Sequence, residues 1–169
     1  PTVAPLPLLL GATAVNIIRA NRTLGHVYVG NQPSGNNQVL VIDARTDTLV
    51  ASLTVGAPST AIGTQSYLAV DETRGRLYVA NFLTDTLTVL DAANSYAVLA
   101  TIATGDGPTA VAVDTTANRI YVGNANDKTL TFIDGSSFKV IGTLSLPMPP
   151  VALAVDPAVS RIAASATST

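Results

Sequence analysis

Six aspartates recur at matched positions: Asp71, Asp114 and Asp156 close one type of apolar strand, and Asp43, Asp91 and Asp134 close another. Carboxylates gathered in space could ligate calcium or act as general acids. Their neighbours argue for turn chemistry instead. DARTD (43–47), DAANS (91–95) and DGSS (134–137) are sequences in which an Asx side chain caps its own turn, a role that demands recurrence in every unit. No DxDxDG spacing supports a calcium loop. The single histidine, His26, takes the place held by Arg76, Arg119 and Arg161 in the other units, which reads as a solvated strand-edge position rather than a general base. There is no GxSxG motif, no second histidine for a metal, no cysteine and no glycine-rich phosphate loop. No catalytic residue, metal ligand or cofactor site is therefore expected.

The elements that would hold these residues repeat as whole phrases. HVYVGN (26–31), RLYVAN (76–81) and RIYVGN (119–124) are each followed by VLVID (39–43), LTVLD (87–91) or LTFID (130–134). Upstream lie IIRANRTLGH (17–26), LAVDETRGR (68–76), VAVDTTANR (111–119) and LAVDPAVSR (153–161). Downstream lie TLVASLTV (48–55), YAVLATI (96–102) and KVIGTLSL (139–146). The unit is four short strands, a to d, separated by Gly, Asn, Asp and Pro turns, with no helical periodicity. Strands apolar on both sides predict sheets covered on both faces by neighbouring copies. Tyr28, Tyr78 and Tyr121 stand 50 and 43 residues apart, close to the length of a propeller blade, and should form a core or interblade column.

The pattern PxxxAVDxxxxRxYVxN, then TLTVLD, a Val/Ile/Thr strand and the Gly107-Pro108 step resembles the YVTN-type β-propeller repeats of prokaryotic surface-layer and exported proteins. The resemblance covers about Ala14 to Ser165. It implies an all-β propeller of four-stranded antiparallel blades, with about three complete blades and partial terminal ones, either incomplete or completed by an oligomer. The divisions expected are an N-terminal extension able to act as a closing strand (1–13), blades at 14–60, 61–108 and 109–150, and a partial fourth blade with tail (151–169). Relatives of this type include binding and adhesion modules, lactonase-like hydrolases and the heavy chains of periplasmic amine dehydrogenases.

Composition limits the partners. The 169 residues are 47% hydrophobic and 12% charged with a net charge of -2, so a large core is affordable and no basic stripe attracts nucleic acid. No apolar run reaches the roughly 18 residues of a membrane span. PLPLLL followed by GATAV resembles the end of a signal peptide, although a first β-strand is the stronger expectation. Absence of cysteine and richness in Ala, Thr and Ser fit an extracytoplasmic location: periplasm, secretion or the cell surface of a prokaryote.

In such a blade the a–b and c–d turns share one rim and the b–c and d–a connections the other. Two insertions relative to the repeat, in the b–c loop NQPSGNN and around Ala61 to Gln65, both fall on the second rim, and insertions in repeat proteins often mark the binding face. Gln32, Ser34, Asn36, Asn37, Gln65, Tyr67, Phe82, Asp85, Asp106, Asn126 and Asp127 are the candidate ligand-binding residues there. Asn31, Asn81 and Asn124, which repeat, read as turn formers. The leading expectation is a noncatalytic binding scaffold for a protein or glycan, with self-association or the remainder of a longer chain completing the ring. The alternatives are part of a propeller enzyme whose active site lies on other blades, and a structural assembly unit pairing through open blade ends.

Overall fold

The computed structural model describes residues 15–31, 38–56 and 66–166. The expectations placed on residues 1–13, on Gln32, Ser34, Asn36 and Asn37, and on Gln65 lie outside them. Among the described residues, fourteen strands form three four-stranded antiparallel meanders and one hairpin. The first meander holds β1 (Val15–Asn21), β2 (His26–Asn31), β3 (Gln38–Asp43) and β4 (Thr48–Thr54). The second holds β5 (Ser66–Asp71), β6 (Arg76–Asn81), β7 (Thr86–Asp91) and β8 (Ala97–Ala103), and the third β9 (Pro108–Asp114), β10 (Arg119–Asn124), β11 (Thr129–Asp134) and β12 (Val140–Ser145). The hairpin pairs β13 (Pro150–Asp156) with β14 (Arg161–Ala166). Among the described residues this is the repeat expected: three complete propeller blades and half of a fourth, which do not close a ring.

The strands form where β-branched and aromatic residues run unbroken, and they stop where aspartate opens a turn. All six repeated aspartates cap their own turns. Asp43 accepts from the Arg45 and Thr46 amides, Asp71 from Arg74, Asp91 from Ala93, Asp114 from Thr116 and Ala117, Asp134 from Ser136 and Ser137, and Asp156 from Ala158. The side chains of Asp71 and Asp114 are fully buried in doing so.

Doubly apolar strands follow from stacking. Leu68, Leu77, Val79 and Leu90 of blade 2 join Tyr28, Val39 and Val41 of blade 1 in one core. Ala69, Tyr78, Ala80, Leu87 and Val89, on the other face of the same blade, join Val111, Ile120, Val122 and Ile133 of blade 3 in a second. Burying each Val, Leu or Ile among them contributes about 1.5–3 kcal/mol, and period-two alternation sends neighbouring residues to opposite cores. Tyr28 and Tyr78 are wholly buried in these interblade layers, and burial pushes both phenols above their ordinary pKa.

Each outer strand carries a bulge at the same place. The pairing skips Val50 in β4, Leu99 in β8 and Ile141 in β12, so the perimeter edges, unpaired among the described residues, are kinked, a device that blunts edge-to-edge association.

Candidate functional site

The two rims separate as the repeat requires. On one, a–b and c–d turns of the same blade bond through Ala44 N to Gly25 O, Ala92 N to Gly75 O and Gly135 N to Asn118 O. On the other, Thr104 N donates to Asp85 O and Leu146 N to Lys128 O, tying the end of strand d to the b–c turn. Asp85 and Lys128 hold equivalent left-handed positions, at φ 53° and 55°.

Five of the sequence-derived candidates meet where blades 2 and 3 join on this second rim. Gly107 N donates to Asp85 Oδ1 at 2.9 Å, Asp106 N to Asp127 Oδ2 at 2.7 Å, and Asn126 Nδ2 to Asp106 Oδ1 at 2.8 Å. Ala125 N donates to Gly107 O across the seam, and Phe82 Cε2 would lie 3.1 Å from a Cβ placed on Gly107. The polar groups of Asp85, Asp106, Asn126 and Asp127 thus bond first to one another. Close approach is possible because two residues have no side chain. A Cβ on Gly105 would lie 2.7 Å from Asn124 Nδ2 and Asp127 Oδ2, and one on Gly107, at φ +65°, would lie 2.7 Å from Asn126 Nδ2. Beside this clasp runs a groove of about 200 Å³ whose lining includes Thr104, Thr129, Thr131, Thr143 and Asp127. It offers hydroxyls and one carboxylate to a polar partner.

Tyr67, the remaining described candidate, stands apart from the clasp. It lines a cavity of about 330 Å³ bounded by the innermost strands of all four blades, with Ile17 and Arg19 from β1, Thr109 from β9 and Val151 from β13. This is the axial space of the partial ring. Burial raises the Tyr67 pKa, and Thr109 Oγ1 donates to Pro150 O at 2.8 Å, tying blade 3 to the half-blade.

Several residues take roles that sequence reasoning did not assign. Asn81 and Asn124 do more than open the b–c turn, for their side chains are buried: Asn81 Nδ2 donates to Thr86 and Thr88, and Asn124 Nδ2 to Thr129 and Thr131, at 2.9–3.1 Å. The signal was the TLT that opens β7 and β11, whose first and third residues share one face; the blade 1 counterpart is QVL. His26 is not a solvated edge. Its Nδ1 lies 2.6 Å from Tyr96 Oη on the next blade, the counterpart of Arg76 lying 4.9 Å above the Phe138 ring and donating to Gly135 O at 2.6 Å. Arg74 bonds Asp71 and, across the seam, Thr115 O, while Glu72 accepts from Arg22 N and the Thr23 hydroxyl. Among the described residues no three His, Cys, Asp or Glu side chains gather as a metal site, and no helix is long and apolar enough to cross a membrane.

Comparison with solved structures places this architecture among β-propeller-type folds. The chain is similar to Kuenenia stuttgartiensis hydrazine synthase (TM-score 0.74, 20% identity, 87% of this chain and 40% of that one). It is similar also to a chain of the mitotic checkpoint complex (0.72, 17%, 90% and 44%) and to U3-55K (0.68, 11%, 83% and 42%). Identities this low carry the fold alone, and the chain spans about two fifths of each of those proteins. No protein-family model matches the chain, and no curated protein matches it in sequence.

Proposed function

We propose that this chain is a noncatalytic propeller scaffold of the YVTN type, exported to the periplasm or cell surface of a prokaryote, which binds a protein or glycan partner through its b–c and d–a rim. The observation that carries the proposal is the clasp at the seam of blades 2 and 3. Cross-loop bonds hold Asp85, Asp106, Asn126 and Asp127 in place beside the threonine-lined groove, so a polar partner meets a surface already ordered and little conformational entropy is lost on binding. The longer loop of blade 1, with Gln32, Ser34, Asn36 and Asn37, belongs to the same rim by the order of the repeat, as do Gln65 and Phe82. Likeness to a chain of the mitotic checkpoint complex is consistent with protein partners or self-association.

The test is a glycan array and an immobilised surface-layer protein probed with the wild-type chain and with a variant in which residues 32–37 are replaced by the four-residue b–c turn of blade 2 (82–85). Binding that is lost in the variant at unchanged melting midpoint supports the proposal. Turnover of a lactone or an amine by the purified chain, or binding indifferent to the exchange, overturns it.

A further inference from the structure

In every complete blade, strand b begins with a basic-type residue opposite the aspartate that ends strand c: His26 faces Asp43, Arg76 faces Asp91 and Arg119 faces Asp134. Arg161 begins β14 in the same way, but among the described residues β14 pairs only with β13 and no aspartate stands opposite on its other edge. A second vacancy lies on the preceding blade. His26 and Arg76 each reach forward to an aromatic that ends the next blade's c–d turn in left-handed conformation, Tyr96 at φ 59° and Phe138 at φ 56°. Arg119, their exposed counterpart in blade 3, meets no such ring among the described residues.

One object fills both positions. In blades 2 and 3 the turn aromatic follows the strand-c aspartate by five and four residues (Asp91 to Tyr96, Asp134 to Phe138). The edge itself is suited to pairing. Unlike the bulged β4, β8 and β12, β14 skips no residue of its own: its register against β13 is continuous from Arg161 to Ser165, the single slip, at Val151, lies in β13, and β14 carries no proline or lysine. We propose that β14 receives a further copy of the repeat's c–d hairpin, with its aspartate opposite Arg161 and its turn aromatic against Arg119. The proposal extends the interface already formed at two blade junctions and is independent of the rim function above.

The probe is a synthetic hairpin of this chain's own residues 129–145, with Val140 and Ile141 replaced by Thr to suppress its aggregation. It is used free, and also tethered by a flexible linker after Thr169 in case the free peptide does not fold. Saturable one-to-one binding, slowed hydrogen exchange at β14, and about tenfold weaker binding for Arg119→Ala or for Phe138→Ala in the hairpin are expected, the loss of one cation–aromatic contact with its hydrogen bond. The two substitutions should be non-additive, since each removes the same contact. Failure of both free and tethered hairpins to protect β14 overturns the proposal. So does protection insensitive to both substitutions, or a chain that already dimerises through β14 without the probe, which would assign that edge to a second whole copy.

Discussion

The seam between blades 2 and 3 and the outward face of the β13–β14 half-blade are built from the same positions of the repeat, yet they meet different surroundings. At the seam, Tyr67, Ala69, Tyr78 and Ala80 press on blade 3, and Arg76 grips Phe138 and Gly135. On the half-blade the corresponding residues are Ala152, Ala154, Ala163 and Ser165, all exposed, while Leu153, Val155 and Ile162 turn inward and are half-buried. One repeat therefore tolerates two outcomes. Its inward alternation is kept wherever a preceding blade exists, and its outward aromatic is dropped where the described structure places none beyond.

The sharpest break of this comparison is Tyr78→Ala, which empties a wholly buried aromatic site and should cost about 3–5 kcal/mol in urea unfolding, whereas Ala163→Tyr on the half-blade should change stability by less than about 0.5 kcal/mol. Equal effects would mean that the half-blade is covered. Next is Gly107→Ala. A left-handed backbone and a Cβ pressed on Asn126 should together cost about 2 kcal/mol and open the clasp, visible as faster exchange of the Asp106 and Gly107 amides. Arg76→Ala should cost about 1–2 kcal/mol through loss of its ring contact and its bond to Gly135 O, against less than about 0.5 kcal/mol for Arg119→Ala.

How much of this was legible follows from how local each interaction is. The strands, their turns and the aspartate caps rest on residues two to eight apart, and the sequence displays them in each copy. The clasps do not. His26 and Tyr96 are separated by 70 residues, and nothing in either segment states which blade faces which. Asn81 and Asn124 carried a local signal, the threonines five and seven residues on, but an asparagine ending a strand fits a turn equally well until the stacking of blades buries it. The rim candidates were placed by repeat topology. That topology brings Asp85, Asp106, Asn126 and Asp127 together, sends Tyr67 to the axis, and leaves open that their first partners are one another.

The smallest effect expected is electrostatic. The Ser137 amide and hydroxyl beside Asp134, and the Arg45 amide and guanidinium beside Asp43, hold both carboxyls below the ordinary carboxylate range. A depressed folded pKa stabilises the fold above the unfolded value of about 3.9, and that contribution is lost as pH falls through the folded pKa. Acid unfolding should therefore begin slightly higher in pH for Asp134→Asn than for wild type when both are followed by circular dichroism. An unchanged acid limb would mean that the Ser137 contacts do not persist in solution.

The most direct test of the account is residue-resolved hydrogen exchange on the monomeric chain, comparing β6, β10 and β14. Strands paired on both sides should protect every amide, as expected for β6 and β10. β14, paired on one side, should protect only alternate amides, those bonded to β13. That alternation is the predicted result. Uniform protection along β14 in a confirmed monomer would contradict an open half-blade at the end of a three-blade run.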